Sequence, residues 1–191
     1  MNQKMNNPYE EPYESLLGEW RRIHPDVEFG KKVRIGEGTV IEEGCVIGDN
    51  VILGHHTILR SNTIIGNNSV IGHLVVSEGN NVIGNRVLIH SQCHITKLVT
   101  IEDDVFIAPF FCAANTPRIV HGRNYPLVLK EGRIKRAARI GVSVTMLPGL
   151  VIGENALIGA GSVVTHNVPD GEIWFGNPAV KHGNVPREEW M

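Results

Sequence analysis

The chain has 191 residues, enough for one domain with a sizeable core, and its formal net charge of −2 provides no global basic field of the kind nucleic acid attracts. No apolar run approaches the ~18 residues of a membrane span, and Met1–Asn7 lacks the apolar block of a secretory leader, so a soluble, cytoplasmic protein without membrane partners is expected. Aromatic residues are sparse at 6% and glycine is frequent at 21 residues, which suits many tight corners and thin side-chain layers better than a bulky globular core.

The predicted elements begin with an N-terminal extension, residues 1–22, in which "NPYEEPYESLLGEW" has room for one short helix at Tyr13–Trp20. From Ile23 a six-residue count takes over. Ile23, Phe29, Ile35, Ile41, Ile47, Leu53, Leu59, Ile65, Ile71, Ser77, Ile83, Ile89, Ile95, Ile101, Ile107 and Ala113 all fall on it, and only Ser77 and Ala113 are not large and apolar. Six is neither the 3.6 of a helix nor the 2 of a simple strand. The position four later, from Val27 and Val33 through Thr39, Cys45, Val51 and Thr57 to Val105 and Phe111, is mostly small or β-branched. Glycine often follows the ladder residue, as at Gly36, Gly48, Gly54, Gly66 and Gly72, where it is expected to turn corners that would strain other residues.

These repeats predict an all-β, parallel β-helix over residues 23–169. Each hexad is a short strand plus a turn, three hexads close a triangular coil, and each coil is stabilised by its neighbours. The residue before each ladder position is also apolar (Val40, Val46, Ile52, Ile58, Ile64, Val70, Val76, Val82, Leu88) and should point outward. Apolar outward stripes imply an interface, most simply in a homotrimer of three-sided prisms.

The ladder stops at Ala113 and resumes at Ile134, a step of 21 residues that is not a multiple of six, so residues 114–133 are expected to leave the prism as an extended loop. Seven of the chain's 18 Lys and Arg, namely Arg118, Arg123, Lys130, Arg133, Lys135, Arg136 and Arg139, fall in or beside it with only Glu131 opposing. Such a cluster suits a phosphate-rich small ligand, because guanidinium donors match phosphate oxygens. The ladder ends at Ile140, Met146, Ile152, Ile158 and Val164, and residues 170–191 form a short C-terminal cap.

The cysteines Cys45, Cys93 and Cys112 are odd in number and form no CxxC pair, which predicts free thiols in a reducing compartment; only Cys112 lies near the basic segment. His55 and His73 are eighteen residues apart and should stack on adjacent coils, with His90 and His94 nearby. Stacked imidazoles can bind metal, though no convergent set of three ligands is evident and no metal site is assigned.

The hexads "IGDNVI", "IGNNSV" and "IGENAL", followed by "IGAGSVVT" and "GNPA", resemble the left-handed β-helix acyltransferases over roughly residues 23–183. The resemblance implies a left-handed coil and transfer of an acyl group from acetyl-CoA or another acyl-CoA, without a metal. Within that group "EDDVFIAPFFCAANTPR", residues 102–118, resembles the N-acyltransferases of dTDP- or UDP-linked amino-deoxy sugars. It implies a nucleotide-sugar substrate and sites between subunits. Asn115 takes the place at which the related O-acetyltransferases carry a catalytic histidine. An amine needs positioning more than deprotonation, which suits asparagine.

His121 is the alternative base, and would favour an O-acetyltransferase acting on a hydroxyl. The implied acceptor-binding residues are His90, Gln92, Pro117, Arg118, Arg123 and Tyr125. Gly141, Ser143, Ala160, Thr165, His166 and Lys181 are implied for coenzyme A, with His166 standing where relatives carry lysine. The fold also hosts zinc carbonic anhydrases, and some β-helices are purely structural. The basic loop, "AANTPR" and "GNPA" argue against the structural case, since a scaffold has no use for them.

Overall fold

The computed structural model describes residues 22–191; the extension with the helix expected at Tyr13–Trp20 lies outside the described residues. From Arg22–Ile23 to Val163–Val164 the chain is a succession of two-residue strands, each followed by a corner. Strands three units apart pair in parallel, so that Val40–Ile41 lies on Ile58–Leu59 and that strand on Val76–Ser77. Three parallel sheets result. Sheet A contains Val40–Ile41, Val76–Ser77, His94–Ile95, Cys112–Ala113 and Thr145–Met146; sheet B contains Val46–Ile47, Ile64–Ile65, Val82–Ile83 and Arg133–Ile134; sheet C contains Leu88–Ile89, Phe106–Ile107, Arg139–Ile140 and Leu157–Ile158.

The ladder residues fill the prism. Ile41, Ile47, Ile65, Ile71, Ile83 and Ile89 are fully buried in one continuous core. Burying each such side chain contributes roughly 1.5–3 kcal/mol before conformational entropy is charged against it. The position four later also points inward. Its small polar members donate to corner carbonyls of the next coil: Thr39 Oγ1 to Gly54 O at 2.9 Å, Thr57 Oγ1 to Gly72 O at 2.9 Å and Ser69 Oγ to Gly84 O at 2.8 Å. That explains why threonine and serine recur inside an apolar tube.

The corner glycines have a different reason from the one expected. Gly36, Gly54, Gly66 and Gly72 are not in the left-handed region. They are required by close approach: a Cβ on Gly54 would fall 2.5 Å from the carbonyl carbon of Gly72 in the next coil. The left-handed turn sits two residues later, at Asn50, His56, Asn62, Asn68 and Arg86, with φ between 55° and 59°.

The break in the ladder at Ser77 is compensated internally. Ser77 Oγ lies 3.0 Å from Thr63 Oγ1 and donates to Asn81 Oδ1 at 2.8 Å. Asn81 also accepts from the Gly79 N–H at 3.1 Å and donates to the carbonyls of Thr96 and Val99 at 2.8 and 3.1 Å. Asn81 thus makes hydrogen bonds through both ends of its amide.

The excursion runs over residues 114–132, one residue shorter than expected, because Arg133 already belongs to a strand. Arg133–Ile134 pairs with Thr100–Ile101 below and Val151–Ile152 above, so the prism closes seamlessly around the loop. Beyond the coils, Glu172–Gly176 joins sheet C in parallel and turns back on Ala179–Asn184 through a cis Asn177–Pro178 peptide. The tail then folds down the prism: Arg139 pairs with Glu189 at 2.7 Å, and Arg136 holds both Glu154 and the Met191 carbonyl.

Candidate active site

Two edges of the prism collect the residues singled out in the sequence. The edge from sheet C to sheet A carries His90–Gln92, then Ala108–Phe110, then Gly141–Ser143, then Gly159–Gly161. Main-chain bonds stack these corners: Phe110 N–H donates to Ser91 O at 3.3 Å, Ser143 N–H to Pro109 O at 2.9 Å, and Gly161 N–H to Val142 O at 2.8 Å. The expected acceptor residues His90 and Gln92 and the expected coenzyme residues Gly141, Ser143 and Ala160 therefore share one edge. Gln92, Ser143 and Ala160 are exposed, and the His90 ring packs edge-on against Phe106 with centroids 5.3 Å apart. Gly141, Ala160 and Gly161 keep the upper part of the edge slender; nothing lies within 4 Å of where a Gly161 Cβ would be.

The edge from sheet A to sheet B carries Asn115, Thr165 and His166, the last two joined by a 2.9 Å Oγ1···Nδ1 contact. Asn115 is the root of the loop. It is buried; its Nδ2 donates to Lys97 O at 3.1 Å, its Oδ1 accepts from Thr116 Oγ1 at 3.0 Å, and its carbonyl accepts from the Lys130 N–H at 2.7 Å, closing the loop's neck. Both ends of the amide are engaged in holding the chain. His121 lies exposed at the loop's tip, and Pro117, Arg118 and Arg123 are exposed too. Arg118 stacks on Tyr125 with its guanidinium carbon 4.4 Å from the ring centroid, and the Tyr125 hydroxyl donates to Ile119 O at 2.6 Å.

The basic cluster is divided by the fold, which corrects the expectation of a single phosphate-binding group. Arg133, Lys135, Arg136 and Arg139 stand on the coils and are paired with Glu102, Asp170, Glu154 and Glu189 at 2.6 to 3.0 Å. Their charge is locally balanced. Only Arg118, Arg123 and Lys130 belong to the loop, and Lys130 lays its aliphatic stem against Gly149. On the hairpin, Lys181 is paired with Glu172 at 2.6 Å, and Glu172's carboxyl is held below its usual range by that ammonium and by the Trp174 indole N–H.

His55 and His73 stack as expected, 5.1 Å between centroids and 13° from parallel. Each ring's Nδ1 accepts a corner N–H from the coil below, Glu37 N at 2.9 Å for His55 and His55 N at 2.9 Å for His73. Among the described residues no group of three or more His, Cys, Asp or Glu converges to hold a metal ion. The two stacked histidines therefore act as structural acceptors.

One cluster was missed. Sheet A lies between the two edges, and its outward column reads Arg22, Val40, Ile58, Val76, His94, Cys112, Thr145, Val163. It turns polar beside the loop's root. His94 Nε2 lies 3.0 Å from Glu78 Oε1, and Cys112 is its partner in the next strand. Partial desolvation and the nearby Glu78 push the thiol of the otherwise exposed Cys112 up, so it stays protonated near neutrality. The signal was present in the sequence, since His94 is the first polar residue to follow the run of outward apolar positions that ends at Leu88.

Comparison with known proteins agrees with this architecture. Residues 16–116 match the family model described as the GMPPB C-terminal domain, more than half of the chain. A dTDP-3-amino-3,6-dideoxy-alpha-D-galactopyranose 3-N-acetyltransferase of Aneurinibacillus thermoaerophilus is 46% identical over 52 residues, 27% of each chain. The galactoside O-acetyltransferase of Escherichia coli K12 is 37% identical over 86 residues, 42% of this chain and 41% of that protein. The chain thus spans well under half the length of these curated relatives. A solved galactoside acetyltransferase in complex with coenzyme A superposes with a TM-score of 0.61 and 30% identity over 68% of both chains. With the repeat, the coil and these matches together, the chain belongs to the hexapeptide-repeat acetyltransferase family.

Proposed function

We propose that the protein transfers an acyl group from a coenzyme A thioester to the amine of a nucleotide-linked amino-deoxy sugar. The observation that supports the reading is a shared edge: His90 and Gln92 of the expected acceptor set and Gly141, Ser143 and Ala160 of the expected coenzyme set line one column, with slender exposed corners at Gly141–Ser143 and Gly159–Gly161 where an extended chain can lie close to the backbone. The amino-sugar acetyltransferase match supports the acceptor class, and the coenzyme complex of the galactoside enzyme supports the donor. Arg118, Arg123 and Lys130, exposed on the loop and without carboxylate partners among the described ion pairs, are the loop cations placed to meet a diphosphate.

The chemistry follows. The acceptor attacks the thioester carbonyl, an oxyanion forms and is stabilised by aimed donors, and the C–S bond breaks to release the thiol. A homotrimer with sites between prisms completes the reading, since the outward positions Val46, Ile64 and Val82 of sheet B are each more than a third exposed. A cytoplasmic location goes with free thiols and a coenzyme A donor.

The second reading is O-acetylation, favoured by the 30% identity to a galactoside acetyltransferase. A thiol-release assay with acetyl-CoA over dTDP- and UDP-amino sugars, with hydroxyl-only analogues and galactosides as controls, separates the two. Turnover of amines alone supports the proposal; turnover of hydroxyl acceptors alone overturns it.

A further inference from the structure

The outward column of sheet A is apolar from Val40 through Val76 and then presents His94, Cys112 and Thr145 between the coenzyme edge and the root of the loop. Adjacent strands lie ~4.8 Å apart, so these three side chains form one short polar strip. His94 and Glu78 are both partly open, with side chains 43% and 34% exposed. A surface histidine–carboxylate contact alone would mean little. Here the carboxylate rises from the corner that flanks sheet A on the loop side, and the ring stands in the strand beside the loop's neck.

From this juxtaposition we propose that His94, oriented by Glu78, is the general base of the acyl transfer; the proposal rests on the acyl-transfer reading above. Glu78 accepts the Nε2–H, which fixes the neutral tautomer and leaves the Nδ1 lone pair for the acceptor. The acceptor's nitrogen or oxygen attacks the thioester carbonyl carbon and its proton passes to Nδ1. The C–S bond then breaks, and the imidazolium returns the proton to the departing thiolate. The products are the acylated acceptor and free coenzyme A thiol. Cys112 faces His94 from the strand above and Val76 lies below; Glu78 is the carboxylate at the ring, Arg60 stands one coil below Glu78 and pairs with Glu42, and Lys97 follows in the next corner of His94's own coil. This arrangement supplies what Asn115 cannot, because the Asn115 amide is engaged in the loop's neck.

Two measurements test it on the full chain. In the first, thiol release from acetyl-CoA is followed with whichever acceptor of the panel the wild type uses. His94→Gln is expected to lower kcat/KM about a hundredfold and to abolish the acid limb of its pH profile, since general bases typically contribute 10²–10⁴. Glu78→Gln is expected to cost about tenfold with the limb displaced, and His24→Gln, at the far end of the prism, nothing. Near-wild-type rates in His94→Gln, or an unchanged acid limb, overturn the proposal.

In the second, the His94 imidazole is followed by NMR as acetyl-CoA is added, with no acceptor present. A saturable shift at His94 absent at His24 is expected, and no shift at saturating acetyl-CoA overturns the proposal by itself. If the wild type acylates nothing in the panel while His94 responds to the coenzyme, the acceptor reading falls and the His94 site stands.

Discussion

Asn81 replaces an apolar layer with a closed set of hydrogen bonds, and its value lies in having no spare partner. Removing it strands the Gly79 N–H and the Thr96 carbonyl, while the Ser77 hydroxyl keeps Thr63 Oγ1 and the Val99 carbonyl keeps the Val82 N–H. Each buried group left unpaired costs about 1–3 kcal/mol, so Asn81→Ala is expected to lower unfolding stability by about 3 kcal/mol in urea titration at unchanged m-value; a loss under 1 kcal/mol would show that water replaces the amide.

The cysteines differ in the same local way. Cys45 and Cys93 are buried with thiol pKa values pushed up to about 11 by desolvation, whereas Cys112 is exposed. Alkylation of the native protein should label Cys112 alone. Because the two folded-state values lie above the unfolded value near 9, their contribution is complete below pH 9 and is lost as pH rises towards 11. Alkaline unfolding in that window should move upward in a Cys45→Ala, Cys93→Ala protein relative to its own neutral stability.

Between coils, the element that repeats is a side-chain acceptor under each corner. Asp49, Asn67, Asn85 and Asp103 each accept an N–H from the corner one coil below on one edge, and His55 and His73 do so on another. The geometry asks for an acceptor, whatever side chain supplies it. His73→Asn is therefore expected to stay within about 0.5 kcal/mol of wild type, and His73→Val to lose about 1 kcal/mol, by thermal unfolding. Asp103 is held below its usual range first by the Asn85 N–H, with help from Arg86 and Arg136. Its depressed value stabilises the fold above the unfolded carboxylate pKa of ~3.9 and the effect disappears as pH falls below it, so Asp103→Asn should flatten the acid limb of the stability curve.

The loop is tied at one point. Asn115→Ala removes the Lys97 and Thr116 contacts, and faster proteolysis between 116 and 129, with the coils intact by circular dichroism, is expected; cleavage at the wild-type rate would mean that the Lys130 N–H bond suffices.

For the whole molecule, the prism has little bulk: three two-residue strands enclose a thin core, and outward apolar positions remain on sheet B. Sedimentation should give about three times the 21.0 kDa chain mass. Ile64→Glu, which places a charge at a 44% exposed position in the middle of that face, should yield monomer with the coil retained. A wild-type monomer would remove the intersubunit site but leave the coil and the His94 strip as they are.

The hexad count by itself determined the coil, because each turn buries the same two positions and the inward ladder admits few residue types. It also located the loop, since a lost period has to leave the prism. Ser77 and Asn81 could be seen as exceptions, but their mutual satisfaction could not, as it joins atoms from three coils. Tertiary structure decided how the cations are used. Arg133, Lys135, Arg136 and Arg139 are close in sequence to Arg118 and Arg123, yet stacking sets carboxylates from distant segments opposite them. It placed Asn115 at the loop's neck, with its amide bonded to Lys97 O and Thr116 Oγ1. It also brought together Glu78, His94 and Cys112, spaced sixteen and eighteen residues apart, because a three-sided coil converts a sequence distance near eighteen into a single strand spacing.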